Sequence, residues 1–219
     1  MKTAIIIGAT GLTGGLLLNK LLEDDFFSKV KLFSRTAVNI SHPKIEEFIV
    51  DLFSLELNKK DFTADVVFCC IGTTQAKTPD LNIYKKIDYG IPLAAAKLCK
   101  ENNIKTFIAV SALGANPKST IFYNKTKGEM ERDILKVDVE RTYFLQPSLI
   151  GGSREEKRRG EYVAKILMKA INFLFIGPLK KYKSIHPNDI VNTMIWLSNN
   201  DYSEKRIVSD KIHEIANQA

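Results

Sequence analysis

The chain has 219 residues, 45% of them hydrophobic, which is enough for one sizeable α/β core and predicts a single domain over residues 1–219. The net charge of +7 is carried partly by the clusters SREEKRRGE and PLKKYKS, whose acidic or aromatic members favour a solvated face or a funnel for an anionic ligand over a nucleic-acid surface. The three cysteines form no C-x-x-C pair and have no histidine at metal-ligand spacing, which argues against a disulfide framework or a metal site and fits a cytoplasmic protein.

The N-terminal stretch TAIIIGATGLTGGLLLNKLL predicts a strand, a glycine turn and a helix. AIII is typical of a strand buried on both faces, and the helix is indicated by leucines at helical spacing, namely Leu12, Leu16, Leu17 and Leu21. A turn of this kind points backbone N–H groups and the positive end of a helix dipole at an anion. The spacing Gly8-x-x-Gly11-x-x-Gly14 therefore predicts a pyrophosphate-binding turn. A signal peptide is the alternative, but glycines interrupt the apolar segment and no cleavage site follows.

The rest of the chain alternates apolar runs with helical patterns. The runs that predict strands are KVKLFS, IEEFIV, ADVVFCCI, KTFIAVS, RTYFLQP and, near the C-terminus, KRIVSD. Helices are predicted over Asp80–Asn102, Tyr123–Lys136, Pro187–Ser198 and the short stretch KIHEIA. This order predicts an α/β fold with a doubly wound parallel (Rossmann) sheet in three α/β/α layers, and a small substrate-side segment at about 151–186. The apolar stretch AINFLFIGPL is too short to span a bilayer, so no membrane segment is predicted.

Residues at the carboxyl ends of the predicted strands indicate a dinucleotide site. The second strand ends in Ser34 and Arg35, and an arginine there accommodates a 2′-phosphate, which favours NADP(H) over NAD(H). The third strand ends in Asp51, which is placed to accept a hydrogen bond from the adenine amino group. Gly72 follows the fourth strand and lets the backbone pass close to the cofactor. The predicted cofactor site also includes the neighbours of these residues, Leu52, Ile71 and Thr73.

A serine, a tyrosine and a lysine form the candidate catalytic set. Ser111 ends the fifth predicted strand, and Tyr123 and Lys127 follow as a Y-x-x-x-K pair. Tyrosine and lysine four residues apart share a helix face, so the ammonium can favour the tyrosinate and also reach a ribose hydroxyl. A serine hydroxyl beside the phenol could hold a carbonyl oxygen. The alternative interpretation is a half-exposed tyrosine beside a solvated lysine.

Other reactive side chains are predicted to be structural. Cys69 and Cys70 lie in an apolar run and are expected to be small buried residues. His186 precedes Pro187 and Asp189, a pattern typical of a helix start, so it is expected to have a structural role.

Five stretches of the chain resemble the atypical, extended-like short-chain dehydrogenases/reductases, and in particular the Tat-interacting-protein oxidoreductase family. They are GATGLTGG, FCCIGTT, IDYGIPLAAAKLCKENNIKTFIAVSALGA, YNKTKGEME and QPSLIGG. The resemblance implies an NADP-binding Rossmann domain whose catalytic positions match Ser111, Tyr123 and Lys127. It also implies that Pro147 and Leu149 pass the nicotinamide edge, and that the pyrophosphate contacts are Gly8, Thr10, Gly11, Leu12, Thr13 and Gly14.

The sequence departs from the family at one position of the catalytic region. Asp88 stands where many relatives have an asparagine, so the water-mediated proton relay which that asparagine supports is open to question here. We expect an NADP(H)-dependent oxidoreductase that acts on a small carbonyl or alcohol, without nucleic-acid or membrane partners. A non-catalytic NADP(H)-binding regulator with a protein partner is the alternative, because a fold does not determine an activity. A sugar-nucleotide epimerase is a third interpretation, although the segment after Gly151 is short for a nucleotide-sugar.

Overall fold

The computed structural model describes residues 1–148 and 185–218, which contain a sheet of parallel strands. Its strands are β1 (Lys2–Ile7), β2 (Phe27–Ser34), β3 (Ile45–Ile49), β4 (Val66–Cys69), β5 (Thr106–Val110), β6 (Arg141–Gln146) and β7 (Arg206–Val208). Every strand pair is parallel, as expected when helical crossovers connect the strands.

The helices occupy the connections between these strands. They are α1 (Leu12–Glu23), a 3₁₀ helix (Leu52–Asn58), α2 (Leu81–Lys85), α3 (Ile91–Glu101), α4 (Phe122–Val137), α5 (Pro187–Asn199) and α6 (Ser209–Ala216). A π-helical turn at Lys86–Gly90 joins α2 to α3, so the predicted helix over Asp80–Asn102 is continuous but widened in the middle. Such π turns are rare and often occur at functional sites.

The strand order β3-β2-β1-β4-β5-β6-β7 reverses direction between β1 and β4. After β3 the chain returns to the centre of the sheet, and the N–H of Cys70 donates to the carbonyl of Ile7 at 2.8 Å. In open parallel sheets the ligand crevice lies beyond the carboxyl ends of the strands at this switch point. Gly8, Gly72 and Ser111 all lie at that edge, because they follow β1, β4 and β5.

Helices cover both faces of the sheet. One apolar core joins the sheet to α1, α5 and α6 through residues such as Leu17, Met194 and Ile212. The other joins it to the 3₁₀ helix, α3 and α4, with Leu55 and Met130 among its members. The central strands, such as β4 with its sequence VVFC, are buried on both faces and are therefore continuous apolar runs, whereas the edge strand β3 contains two glutamates and is partly exposed. The predicted doubly wound three-layer α/β/α fold is confirmed.

The predicted element limits agree with the structure to within two residues. The third strand ends at Ile49, so Asp51 lies two residues beyond it and not at its end. Leu149, the basic clusters SREEKRRGE and PLKKYKS, and most of the substrate-side segment predicted at about 151–186 lie outside the described residues. No helix in the described part of the chain is both long and apolar enough to cross a membrane.

Candidate functional site

Three glycines of the turn between β1 and α1 have different physical roles. Gly8 has a φ of +91°, which glycine adopts without strain, and a Cβ there would lie 3.0 Å from backbone atoms of Cys70 and Ile71. A methyl group on Gly14 would overlap the carbonyl oxygen of Gly8 and lie 2.8 Å from its carbonyl carbon. Gly14 therefore allows α1 to pack closely against the turn.

Gly11 has neither of these requirements. Its φ of −87° suits any residue, and a Cβ would meet only the carbonyl oxygen of Gly8, at 3.3 Å. It is the N-cap residue of α1, and among the described residues no side chain caps this helix end. The N-terminal N–H groups of α1 are therefore not covered by a side chain of Gly11, and a pyrophosphate binds at this position of a helix in this fold. On this observation the turn fits a dinucleotide.

Next to the turn is a cleft of about 240 Å³ that reaches across to β2 and the 3₁₀ helix. Its lining residues are Gly8, Thr10, Ser34, Arg35, Thr36, Leu52 and Ile71. Among these described residues Arg35 is the only one with a charged side chain, and the Ser34 hydroxyl donates to the carbonyl of Thr36 at 2.7 Å. The structure thus brings the predicted glycine-turn and strand-end residues into one cleft.

Two lysines near β2 are engaged elsewhere. Lys31 Nζ donates to the carbonyl of Asp61 and to the hydroxyl of Thr63, both at 2.9 Å. Lys44 Nζ donates to the carbonyls of Leu22 and Asp24 at the end of α1. Neither lysine lines the cleft, so among the described residues Arg35 is the cation that faces it.

Asp51 has a local task that the sequence did not indicate. It is the N-cap residue of the 3₁₀ helix, and its Oδ1 accepts a hydrogen bond from the backbone N–H of Phe53 at 2.9 Å. Asp51 is exposed and is not among the residues that line the cleft, whereas its neighbour Leu52 is. Its predicted contact with the adenine amino group therefore stays a prediction.

The Y-x-x-x-K pair lies on α4, as predicted, and a third side chain joins it. Lys127 Nζ lies 2.8 Å from Asp88 Oδ1, and the two side chains are only 4% and 1% exposed. The other carboxylate oxygen, Oδ2, accepts from the backbone N–H of Thr73 at 2.8 Å. A methyl group on Gly72 would lie 3.6 Å from Asp88 Oδ1 and 3.9 Å from Lys127 Nζ, so this ion pair lies against the strand edge that faces the crevice.

Burial and neighbouring charges act on both members of the Y-x-x-x-K pair. Burial lowers the pKa of the Lys127 ammonium, but Asp88 and, to a smaller extent, Tyr123 and Cys69 raise it, and the net pKa is raised. For Tyr123 burial raises the pKa, Lys127 lowers it and Asp88 raises it again, so the phenol pKa lies above its ordinary value. In the protein alone, the expected shift of this phenol toward neutrality does not occur, because desolvation outweighs the effect of Lys127 and Asp88 adds to the rise in the pKa.

Ser111 is held in a network centred on Glu131 of α4. Its hydroxyl donates to Glu131 Oε1, while Gln146 Nε2 donates to both carboxylate oxygens at 2.9 and 3.1 Å. Arg206 Nε adds an ion pair to Oε2 at 2.7 Å, and Glu131 itself is 1% exposed. Because Arg206 and Gln146 stabilise an ionised carboxylate, Ser111 must donate its only hydroxyl proton to it. The serine hydroxyl is thus occupied in the described structure.

Two further predicted site residues, Thr73 and Pro147, lie beyond the carboxyl ends of β4 and β6. Thr73 shares a hydrogen bond with Thr78 at 2.8 Å between their hydroxyl oxygens, and its carbonyl accepts from the Tyr84 hydroxyl at 3.4 Å. The carbonyl of Pro147 accepts from the backbone N–H of Leu113 at 3.0 Å, which extends the junction between β5 and β6.

The histidine and cysteines behave as structural residues. His186 is the N-cap residue of α5, and its Nδ1 accepts from the backbone N–H of Asn188 at 3.2 Å. Burial raises the pKa of the Cys69 thiol to about 12 and that of Cys70 further, so neither is a reactive thiolate at neutral pH. Within residues 1–148 and 185–218, no group of three or more metal-ligating side chains lies close together.

Sequence reasoning missed Thr36, Glu131 and Gln146. Thr36 could have been found as the residue that follows Arg35 into the loop. Glu131 lies four residues after Lys127, so the helical period places it on the same face, and its burial required a partner. Gln146 carries no comparable signal, because only the pairing of β5 with β6 brings it to Glu131.

Comparisons with known proteins show the family to which the chain belongs. The family described as NAD(P)H-binding matches residues 8–147. Protein FMP52 of Eremothecium gossypii is 34% identical over 157 residues, which cover 72% of this chain and 70% of that protein. Protein HTATIP2 of Rattus norvegicus is 32% identical over 168 residues, covering 75% and 69%.

A solved structure shows the same fold. UDP-glucuronic acid 4-epimerase from Bacillus cereus, in complex with NAD, superposes with a TM-score of 0.68 at 14% identity, over 94% of this chain and 77% of that one. At this identity the likeness extends to the fold alone. The expected cytoplasmic localisation is contradicted by the fungal relatives, since the FMP52 proteins are named as mitochondrial. The sequence matches, the fold and the glycine turn together show that the chain belongs to the NAD(P)H-binding family, among the atypical short-chain dehydrogenases/reductases related to HTATIP2 and FMP52.

Proposed function

We propose that the protein is an NADP(H)-dependent oxidoreductase that reduces a small carbonyl compound. The observation that carries this proposal is the position of Tyr123 and Lys127 on one face of α4, with the lysine ammonium against the strand edge at Gly72. The glycine turn lies at the same edge of the sheet. A dinucleotide that spans this edge would bring its nicotinamide toward Tyr123.

The residues proposed to hold the cofactor form two groups. The turn residues Gly8, Thr10, Gly11, Leu12, Thr13 and Gly14 would surround the pyrophosphate, and the cleft between Arg35 and Leu52 would receive the adenosine. Arg35 favours NADP(H), because its guanidinium can form paired hydrogen bonds with a 2′-phosphate. The engagement of Lys31 and Lys44 elsewhere leaves this task to Arg35.

The proposed chemistry needs an acid beside the substrate carbonyl. When bound, the reduced nicotinamide supplies a hydride to the carbonyl carbon. The Tyr123 phenol donates its proton to the carbonyl oxygen, which gives the alcohol and leaves a phenolate that solvent reprotonates. Lys127 stabilises that phenolate by its charge and is placed to anchor the cofactor ribose.

Ser111 is proposed as the hydroxyl that binds the substrate carbonyl oxygen. In the described structure this hydroxyl already donates to Glu131, a contact that the sequence did not reveal. To donate to a substrate oxygen it must first release Glu131, a charged acceptor that forms strong hydrogen bonds. Its contribution to turnover should therefore be smaller than that of Tyr123.

The test is a panel of aldehydes, ketones and quinones with NADPH, followed by the loss of reduced-nicotinamide absorbance. Turnover with at least one class, lowered roughly 10² to 10⁴-fold by Tyr123→Phe with unchanged NADPH affinity, is the expected result. Tight NADPH binding without turnover across the panel would contradict the enzyme and favour a cofactor-binding regulator.

A further inference from the structure

We propose that Asp88 is a positioning residue that binds the Lys127 ammonium in a buried ion pair and so keeps the Tyr123 phenol in its protonated, acid form. The inference rests on the proposed function and deepens it, since it assigns the protonation state of the proton donor. Carbonyl reduction uses the phenol as an acid and alcohol oxidation uses the phenolate as a base, so a protonated Tyr123 favours reduction at neutral pH.

The geometry of Asp88 and Lys127 supports a stable ion pair. The distance of 2.8 Å between Lys127 Nζ and Asp88 Oδ1 is that of a close ion pair, and both side chains are almost fully excluded from solvent. The backbone N–H of Thr73 holds the second oxygen of Asp88, and the π turn at Lys86–Gly90 presents the residue at the strand edge. Asp88 is therefore fixed from two sides and cannot turn away from the lysine without losing both contacts.

The charges that face Tyr123 come from two elements. Lys127 lies one turn along α4, and Asp88 lies on the π turn; the Tyr84 phenol of α2 is a further titratable neighbour. A buried ammonium alone would stabilise the phenolate strongly, because charges interact more strongly away from water. Asp88, at 2.8 Å from the ammonium, offsets part of the effect of Lys127 at the phenol. Tyr123 is 41% exposed, and the partial desolvation of its ring also favours the neutral form.

The relation to Ser111 strengthens the same conclusion. Ser111 gives its proton to Glu131, so it offers Tyr123 or a substrate a lone pair rather than a second acid. The Tyr123 phenol is then the proton donor of the described site, and a residue that keeps it protonated determines how much active acid is present.

The experiment is a spectroscopic titration of the Tyr123 phenolate in the cofactor-free, full-length chain. The Tyr123 signal is isolated as the ultraviolet difference between each protein and its Tyr123→Phe counterpart. In the wild type the phenolate should appear only above the ordinary pKa of 10.0. In Asp88→Asn, which removes the charge and keeps the shape, the titration should move to lower pH by at least about one unit.

The matched control is Asp138→Asn at the exposed C-terminal end of α4. It makes the same chemical change, and asparagine tolerates the left-handed backbone found there, with a φ of 60°. This variant should titrate like the wild type. Lys127→Met should move the Tyr123 titration in the opposite direction, to higher pH.

The titration tests Asp88 separately from the proposed activity, because it needs neither substrate nor turnover. A wild-type Tyr123 that ionises near neutral pH would overturn the inference even if Asp88→Asn fails to fold. An Asp88→Asn protein that retains its thermal unfolding temperature, but whose Tyr123 titrates as in the wild type, would also overturn it. If turnover is found, the alkaline limit of reduction in Asp88→Asn should move with the phenolate.

Discussion

At the scale of single residues, residues of the same type have different physical roles in this site. Gly8 is required for its backbone angle and Gly14 for the space that α1 needs, whereas Gly11 has an ordinary backbone angle and a Cβ there would meet only the carbonyl oxygen of Gly8 among the described residues. Arg35 lines the cleft, while Lys31 and Lys44 bind backbone carbonyls. The sequence alone does not distinguish these roles, but each role predicts a different effect of substitution.

Gly11→Val should abolish cofactor binding and leave the fold intact. Its backbone angles suit valine, and the side chain meets little of the protein, so the free energy of unfolding should change by about 1 kcal/mol or less. Gly14→Ala should instead destabilise the protein by about 1–3 kcal/mol or more, because its methyl group overlaps Gly8. Calorimetry with NADPH and urea unfolding measure the two effects. Unchanged NADPH affinity in Gly11→Val would rule out the turn as the pyrophosphate site.

Arg35→Ala should remove a preference for NADPH over NADH. We expect the wild type to bind NADPH at least tenfold more tightly, about 1.4 kcal/mol, and the variant to bind both alike. Lys44→Ala is the matched control, since its ammonium binds the end of α1 and should leave the ratio unchanged. A ratio that survives in Arg35→Ala would assign the preference to another residue.

Carbonyl reduction should be insensitive to pH through the neutral range and fall only in alkaline solution. The acid form of Tyr123 is the active one, and burial together with Asp88 raises its pKa, so the rate falls as the pH rises through this raised value. The measurement is the pH profile of kcat with NADPH. A rate that already falls near pH 7 would show that another group, or a cofactor-induced change, sets the proton donor.

At the scale of elements, α4 carries most of the candidate site on one face. Tyr123, Lys127 and Glu131 recur every four residues, and the last two are buried against Asp88 and the sheet. Close packing near the start of the helix is made possible by Gly128, where a methyl group would overlap the backbone of Asn116 and Pro117. Glu131 then ties the helix to β5, β6 and β7 through Ser111, Gln146 and Arg206.

Glu131→Gln should lower the free energy of unfolding by about 2 kcal/mol, since it removes the charge to which three side chains donate. Glu129→Gln on the same helix is the control. Its partner Lys85 is about half exposed, so the loss of that ion pair should cost about 1 kcal/mol or less. Equal losses in the two variants, measured by urea unfolding, would refute the role of Glu131 as the tie between helix and sheet.

At the scale of the whole molecule, the switch point between β1 and β4 brings distant parts of the chain together. The turn after residue 7, the loop after β2 and the edge at residues 71–73 meet there, although they are separated by tens of residues. A ligand that binds across this crevice contacts the folded chain at several elements and stabilises all of them together.

NADPH should therefore raise the thermal unfolding temperature whether or not the protein is an enzyme. At a concentration of 100 Kd the stabilisation is about 2.7 kcal/mol when the unfolded chain does not bind. NADH at the same concentration should raise the temperature less, and Gly11→Val should abolish the effect of both. No stabilisation of the wild type by either nucleotide would contradict the assignment of the crevice as the cofactor site.

The sequence by itself determined the order of strands and helices, the Rossmann fold, the glycine turn and the Y-x-x-x-K pair. Each of these depends on short-range patterns: apolar runs, helical spacing and a turn between a strand and a helix. It also identified Asp88 as unusual, but only tertiary structure paired Asp88 with Lys127 and Ser111 with Glu131. These partners are 39 and 20 residues apart, and the packing of α4 against the π turn and the end of β5 brings them together over distances that local periodicity does not encode. The electrostatic state of Tyr123 depends on those contacts, because burial and opposing charges act through space rather than along the chain.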